Sequence, residues 1–80
     1  MQLKLAFGEV IKAHRIRLGY SQEHLAHLCE LDRTYIGLLE RGKRNPSLKT
    51  IFVISENLEI TPSSLVNEVE KKITNQTSST

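Results

Sequence analysis

The stretch from Ser21 to Asn45, SQEHLAHLCELDRTYIGLLERGKRN, constrains this chain most, because it starts and stops two short helices within a few residues of each other. Ser21 can accept from the free N–H groups of a first helical turn, and Leu25, Ala26, Leu28 and Cys29 follow at the spacing of one apolar helix face. Glu30 and Leu31 lead to Asp32, a second good N-cap residue. After it Ile36 and Leu39 repeat at i and i+3, and Gly42 offers a left-handed C-terminal cap. Two helices that meet across about four residues have the spacing of a helix-turn-helix.

With Ile36 and Leu39 turned inward, Arg33, Thr34, Gly37 and Leu38 occupy the outer side of the second helix, toward the end that meets base edges when such a motif docks on DNA. Arg33 has the fork geometry for guanine O6 and N7. Thr34 pairs with several bases or touches a thymine methyl, and Leu38 can add an apolar contact to such a methyl. An arginine on the first turn of a surface helix is most often just solvated. Its position inside the motif is what makes Arg33 a candidate for base contact.

The runs FGEVIKAHRIRLGYSQEHLA, from Phe7 to Ala26, and LDRTYIGLLERGKRNPSLKTI, from Leu31 to Ile51, resemble the phage-repressor-like helix-turn-helix family, often called the Xre family. The resemblance covers nearly the whole chain. Within the family, the small controller proteins of restriction-modification operons look similar in length and in the run DRTYI followed by ER and RN. The resemblance implies an all-α, compact five-helix, lambda-repressor-like DNA-binding domain with the motif at helices 2 and 3. It implies a transcription regulator acting as a homodimer on inverted-repeat operator DNA, with RNA polymerase a further candidate partner. An antitoxin or a prophage repressor with the same domain is the alternative. Gln22 matches the family position whose amide contacts a phosphate and props a recognition-helix side chain, and Arg15 matches a residue that pairs with the glutamate at Glu40. Tyr35 and Asn45 join the expected backbone contacts. One departure is Glu30, where many members carry glycine in a left-handed conformation, so a strain of order 1 kcal/mol is expected there.

Eighty residues allow one small core, and chains of this size often gain stability from oligomerisation. The net charge is +2, with nine Lys or Arg against five Asp or Glu in residues 1–50 and two against four in residues 51–80. Clustering says more than the sum. Arg41, Lys43 and Arg44 follow the second helix of the motif directly, where a duplex backbone would pass, and are expected to contact it.

The single Cys29 excludes an intramolecular disulfide and a multi-cysteine zinc site, and is expected to be a small core residue in a cytoplasmic protein. His24 and His27 lack a third ligand at persuasive spacing, so no metal is expected, nor any cofactor or small-molecule ligand. The longest aliphatic and aromatic run, Ile51 to Ile54, is far short of a membrane span. A phosphate loop, an HExxH pair and a nucleophile with a base are all missing, which argues against an enzyme.

Around the motif, Leu5, Val10, Ile11 and Ile16 with Leu18 sketch a first helix ending at Gly19, with Lys12, His14 and Arg17 facing elsewhere and Gly8 inside it as a site of close helix packing or a tolerated defect. Asn45-Pro46-Ser47 is a turn followed by a cap, Leu48, Ile51, Phe52, Ile54, Ser55 and Leu58 define a fourth helix with a broad apolar face that closes the core, and Asn57 to Ile60 form a link. Thr61-Pro62 starts a fifth helix, carrying Leu65, Val66, Val69 and Ile73 on one stripe. The outer part of that stripe, with Leu58 and Ile60 at its edge, is the expected dimer interface, and some of these residues must instead close the monomer core. Residues 1–73 are read as the DNA-binding domain with its C-terminal dimerisation helix, and 74–80 as a disordered polar tail.

Overall fold

A computed structural model describes the backbone of residues 2–78 and the side chains of residues 2–74. Five helices follow in order: α1 (Leu3–Arg17), α2 (Gln22–Cys29), α3 (Arg33–Glu40), α4 (Leu48–Asn57) and α5 (Pro62–Ser78), with no strand among the described residues. Every start after the first carries a side-chain cap. Ser21 Oγ, Asp32 Oδ1 and Ser47 Oγ accept from the N–H groups of His24, Thr34 and Thr50 at 3.0 Å, and Thr61 Oγ1 accepts from Ser64 at 3.1 Å.

The stops also share one device. Gly19, Glu30, Gly42 and Glu59 lie at positive φ, and the residue after each donates its N–H back to the last helical turn. Those bonds run from Tyr20 to Arg15, Leu31 to Ala26, Lys43 to Leu38 and Ile60 to Ser55, at 2.9 to 3.1 Å. Glu30, at φ 57°, adopts the left-handed conformation expected of it. Glu59, at φ 60°, does the same inside the segment read only as a link. Each non-glycine residue held there stores strain of order 1 kcal/mol.

The core gathers Phe7, Val10 and Ile11 of α1, Leu25, Ala26 and Cys29 of α2, Ile36 and Leu39 of α3, Ile54 of α4 with Leu58 at its C-cap, and Leu65 and Val69 of α5. Ser55 is buried among them and satisfies its hydroxyl by donating to the Ile51 carbonyl at 2.7 Å. On α1 the buried face is Phe7, Val10 and Ile11 with Ala6, whereas Leu5 and Ile16 are exposed. Ile16 lies off the i, i+3, i+4 stripe that begins at Phe7, so helical geometry and not hydrophobicity decides its place. On α4 the expected broad apolar face is narrower, because Leu48 and Phe52 are 73% and 56% exposed. Leu28, expected on the buried face of α2, is also exposed.

Two expectations for the C-terminal part need correction. Leu58, Leu65 and Val69 are fully or almost fully buried in the monomer and so offer no surface to a second copy; the stripe leaves Val66 exposed, with Ile60 and Ile73 half-buried. The tail expected from residue 74 does not begin there, since α5 continues to Ser78. Residues 74–78 contain neither glycine nor proline, and a helix once nucleated adds one hydrogen bond per residue until something stops it. The rest of the expected tail, Ser79 and Thr80, lies outside the described residues.

Close approach of backbones sets the angle between α1 and α3. A Cβ placed on Gly8 would land on the carbonyl oxygens of Leu39 and Glu40, 2.6 Å from the latter, so close packing and not tolerance explains this glycine. Gly8→Ala should therefore lower stability by about 1–3 kcal/mol despite the gain in helix propensity, because backbone must yield. The corresponding fall in melting temperature is at least ~4 °C for a domain of this size. An unchanged or higher melting temperature by circular dichroism would show that α1 and α3 can separate at little cost.

Candidate nucleic-acid interface

Three helices are fastened at one carboxylate. Arg15 of α1 meets Glu40 of α3 in a bidentate pair, Nε to Oε2 at 2.6 Å and Nη2 to Oε1 at 3.0 Å, and its Nη1 donates to the Tyr20 carbonyl at 2.8 Å. Gln22, on the first turn of α2, donates from Nε2 to Glu40 Oε1 at 2.9 Å. The side chains of Arg15 and Glu40 are 11% and 2% exposed, so both charges are withdrawn from water, and each guanidinium nitrogen has a partner. Because an ionised carboxylate only accepts, the Gln22 amide is held nitrogen inward and oxygen outward.

This network presents α3 with one face free. Arg33 and Thr34 are exposed on its first turn, and Leu38 is half-buried. Gln22, Arg33, Thr34, Gly37 and Arg41 line a shallow recess of about 180 Å³. Gly37, expected on the exposed side, is buried on the floor of that recess, because the Arg41 guanidinium and the Gln22 carboxamide cover it. Tyr35 packs partly against the core. Lys43, Arg44 and Asn45 are exposed in the loop after α3, but Asn45 borders a different recess. No carboxylate pairs with Arg33, Arg41, Lys43 or Arg44 among the described residues.

The second recess is apolar. Leu3, Phe7, Ile51, Val66 and Val69 line most of its roughly 450 Å³ between the start of α1, α4 and α5, with Leu3 62% and Val66 48% exposed. Leu48 and Phe52 stand one turn apart on α4, on either side of Ile51 in sequence, and add apolar area beyond it. Sequence reasoning placed Phe52 in the core, and the mild signal against that was a fourth helix with more apolar positions than one face can hold.

His14, which the sequence reading left facing elsewhere, links α1 to α5. Its Nδ1 lies 2.8 Å from Arg17 Nη2, which can only donate, and its Nε2 lies 2.8 Å from Glu68 Oε1. Both contacts are satisfied by one neutral tautomer with the proton on Nε2. A weaker exposed pair, Lys72 to Glu9 at 3.2 Å, spans the same two helices. His24 packs edge-on against the Tyr20 ring, with centroids 4.7 Å apart. Burial pushes the Cys29 thiol above its ordinary range, only partly offset by a hydrogen bond with Asn57, so at neutral pH it is a thiol in a wall of the core.

A free recognition face, a tight turn and a basic loop on a five-helix scaffold define a helix-turn-helix domain of the repressor-like class. The helix-turn-helix family model matches residues 11–65, and the chain belongs to that family. The control protein C.MunI of a Mycoplasma species is 42% identical over 71 residues, which span 88% of this chain and 96% of that protein. The crystal structure of the restriction-modification controller protein C.AhdI from Aeromonas hydrophila superposes with a TM-score of 0.75 at 44% identity, covering 78% of this chain and 94% of that one. The controller protein C.Esp1396I, crystallised as a tetramer with its natural 35 base-pair operator, gives a TM-score of 0.81 at 36% identity over 91% of this chain and 96% of that one.

Removing one partner of the buried pair leaves the other without compensation. Glu40→Ala should cost about 3–5 kcal/mol in urea denaturation, and an Arg15→Leu/Glu40→Leu double substitution, which removes both charges, distinctly less. A double variant as unstable as Glu40→Ala would mean that the loss comes from the cavity and not from the stranded charge.

Proposed function

We propose that the protein is a sequence-specific, DNA-binding transcription regulator that acts as a homodimer on an inverted-repeat operator and controls a restriction-modification operon. The observation that carries this reading is the outer face of α3. Arg33 and Thr34 stand exposed on the first turn of a helix whose inner face and C-terminal carboxylate are locked to α1 and α2. The N-terminus of a recognition helix is the part that enters the major groove, and the positive end of its dipole points the same way. Arg33 meets guanine, Thr34 a neighbouring base, and the half-buried Leu38 a thymine methyl. Lys43 and Arg44 in the following loop neutralise phosphates, with Tyr35 at the flank. The likeness to control proteins of restriction-modification systems supports the operon assignment.

The role is binding and not catalysis, and it needs no cofactor: Cys29, the chain's one thiol, is a protonated core residue. No described helix is long and apolar enough to cross a membrane, and the work is done in the cytoplasm, where the DNA is.

One recognition helix reads only a few base pairs, and a single module with a few phosphate contacts has too little affinity to find one site in a genome. Pairing two copies places two recognition helices about 34 Å apart, on half-sites roughly ten base pairs apart. The surface that serves this pairing is the apolar one around Val66 and Leu3, extended by Leu48 and Phe52 and edged by Ile60 and Ile73.

Arg33→Ala tests the reading face. It should lose about 1–3 kcal/mol on the selected operator and little on random DNA, measured by fluorescence anisotropy at fixed salt. Equal losses on both would make Arg33 a backbone contact. Val66→Asp tests the pairing surface, since a charge at a two-fold interface meets its own copy. Sedimentation equilibrium should show a folded monomer, and a variant that stays dimeric with wild-type affinity would move the interface elsewhere.

A further inference from the structure

We infer that Arg41 reads a base edge, the O6 and N7 of a guanine next to the base met by Arg33, and does not serve as a phosphate clamp. This deepens the DNA-binding reading above and rests on it. By sequence Arg41 groups with Lys43 and Arg44 as the start of the basic loop, but the fold separates them. Arg41 is the C-cap residue of α3, and Arg33, Gly37 and Arg41 are spaced by four, along one line of the helix surface. Side chains on a helix lean toward its N-terminus, and Arg41 follows that rule. Its Nη1 lies 3.2 Å from where a Cβ on Gly37 would be, one full turn back toward Arg33 and Thr34.

The surroundings suit a double acceptor. Arg33 and Arg41 line the same recess, and neither has a carboxylate partner among the described residues. Gln22, its nitrogen committed to Glu40, turns its Oε1 to within 3.7 Å of the same point above Gly37, so an acceptor and not a second donor faces the guanidinium across the recess. Guanine presents two acceptors in the major groove, matched to the guanidinium fork. A phosphate would also satisfy the charge, but Lys43 and Arg44 stand exposed in the loop for that purpose, whereas the Arg41 guanidinium lies back along α3 over Gly37. Gly37 is then the residue that leaves room for the arrangement, since a Cβ there would crowd the guanidinium, with 3.2 Å between them.

The experiment selects duplexes from a randomised pool with the full-length protein, Arg41→Ala, Gly37→Ala and Lys43→Ala. Affinities for the selected and a random duplex are then measured by anisotropy over a salt series. For Arg41→Ala the expected result is loss of guanine preference at one symmetric pair of positions. It should bind the selected site at least roughly fivefold more weakly per half-site and random DNA nearly as the wild type does. Lys43→Ala should keep every base preference and flatten the salt dependence by nearly one unit per lost contact in each subunit. Gly37→Ala retains the charge of Arg41, and only the flexible tip of Arg41 must yield to the added methyl, so the fold should be kept by circular dichroism while the same guanine preference weakens. An Arg41→Ala variant that loses the same factor on both duplexes with its base preferences intact overturns the inference. So does Gly37→Ala with a wild-type preference. A wild type that selects no sequence at all would instead overturn the DNA-binding reading itself, and the inference with it.

Discussion

The carboxylate of Glu40 is the point on which the geometry of the motif depends. It is almost fully buried, accepts two bonds from Arg15 and one from Gln22, and so ties the last residue of α3 to α1 and to the first turn of α2. A charge so far from water adds little net stability even when paired this well. What it supplies is a single arrangement: three helices with one permitted relation, reinforced where Gly8 lets α1 lie directly on the α3 backbone. The reading face is thereby ordered before DNA arrives, and binding need not provide the free energy to assemble it.

The rest of the monomer is held with less to spare. Two of four helix stops put glutamate in a conformation that suits glycine, and the core is drawn from few residues per helix. Much apolar side-chain surface also remains outside, on Leu3, Leu48, Phe52 and Val66. With that face as the proposed pairing surface, pairing and folding would reinforce each other, because burying it adds the hydrophobic term that the short core lacks. The α5 helix serves both ends: Leu65 and Val69 close the core while Val66, between them, looks outward.

What was legible in the sequence was local. Caps such as Ser21, Asp32, Ser47 and Thr61 act on their own first turn, and left-handed stops such as Gly42 on their own last one, so residue type and position suffice to place them. The reading failed where the outcome depends on several elements at once. Whether Phe52 or Ile54 faces inward depends on where α2 and α5 lie, and whether Val66 or Val69 meets solvent depends on the angle at which α5 crosses α1. The left-handed Glu59 was missed because no glycine or asparagine advertises it. At the candidate site, residue types identified Arg33 and Thr34 as exposed. The burial of Gly37 could not be read, since it arises from a side chain four residues away lying back over it.

The division of labour within α3 bears on how such a domain diverges. Its inner residues, Ile36, Leu39 and Glu40, carry the packing and the buried pair, whereas the side chains of Arg33, Thr34 and Arg41 make no hydrogen bond or ion pair among the described residues. Substitutions at those outer positions therefore leave folding almost untouched while they change what the helix meets. A duplicated copy of the gene could drift to a new target through a few surface changes, each intermediate still folded, and two such proteins in one cell would be kept from each other's promoters by side chains that the fold does not need.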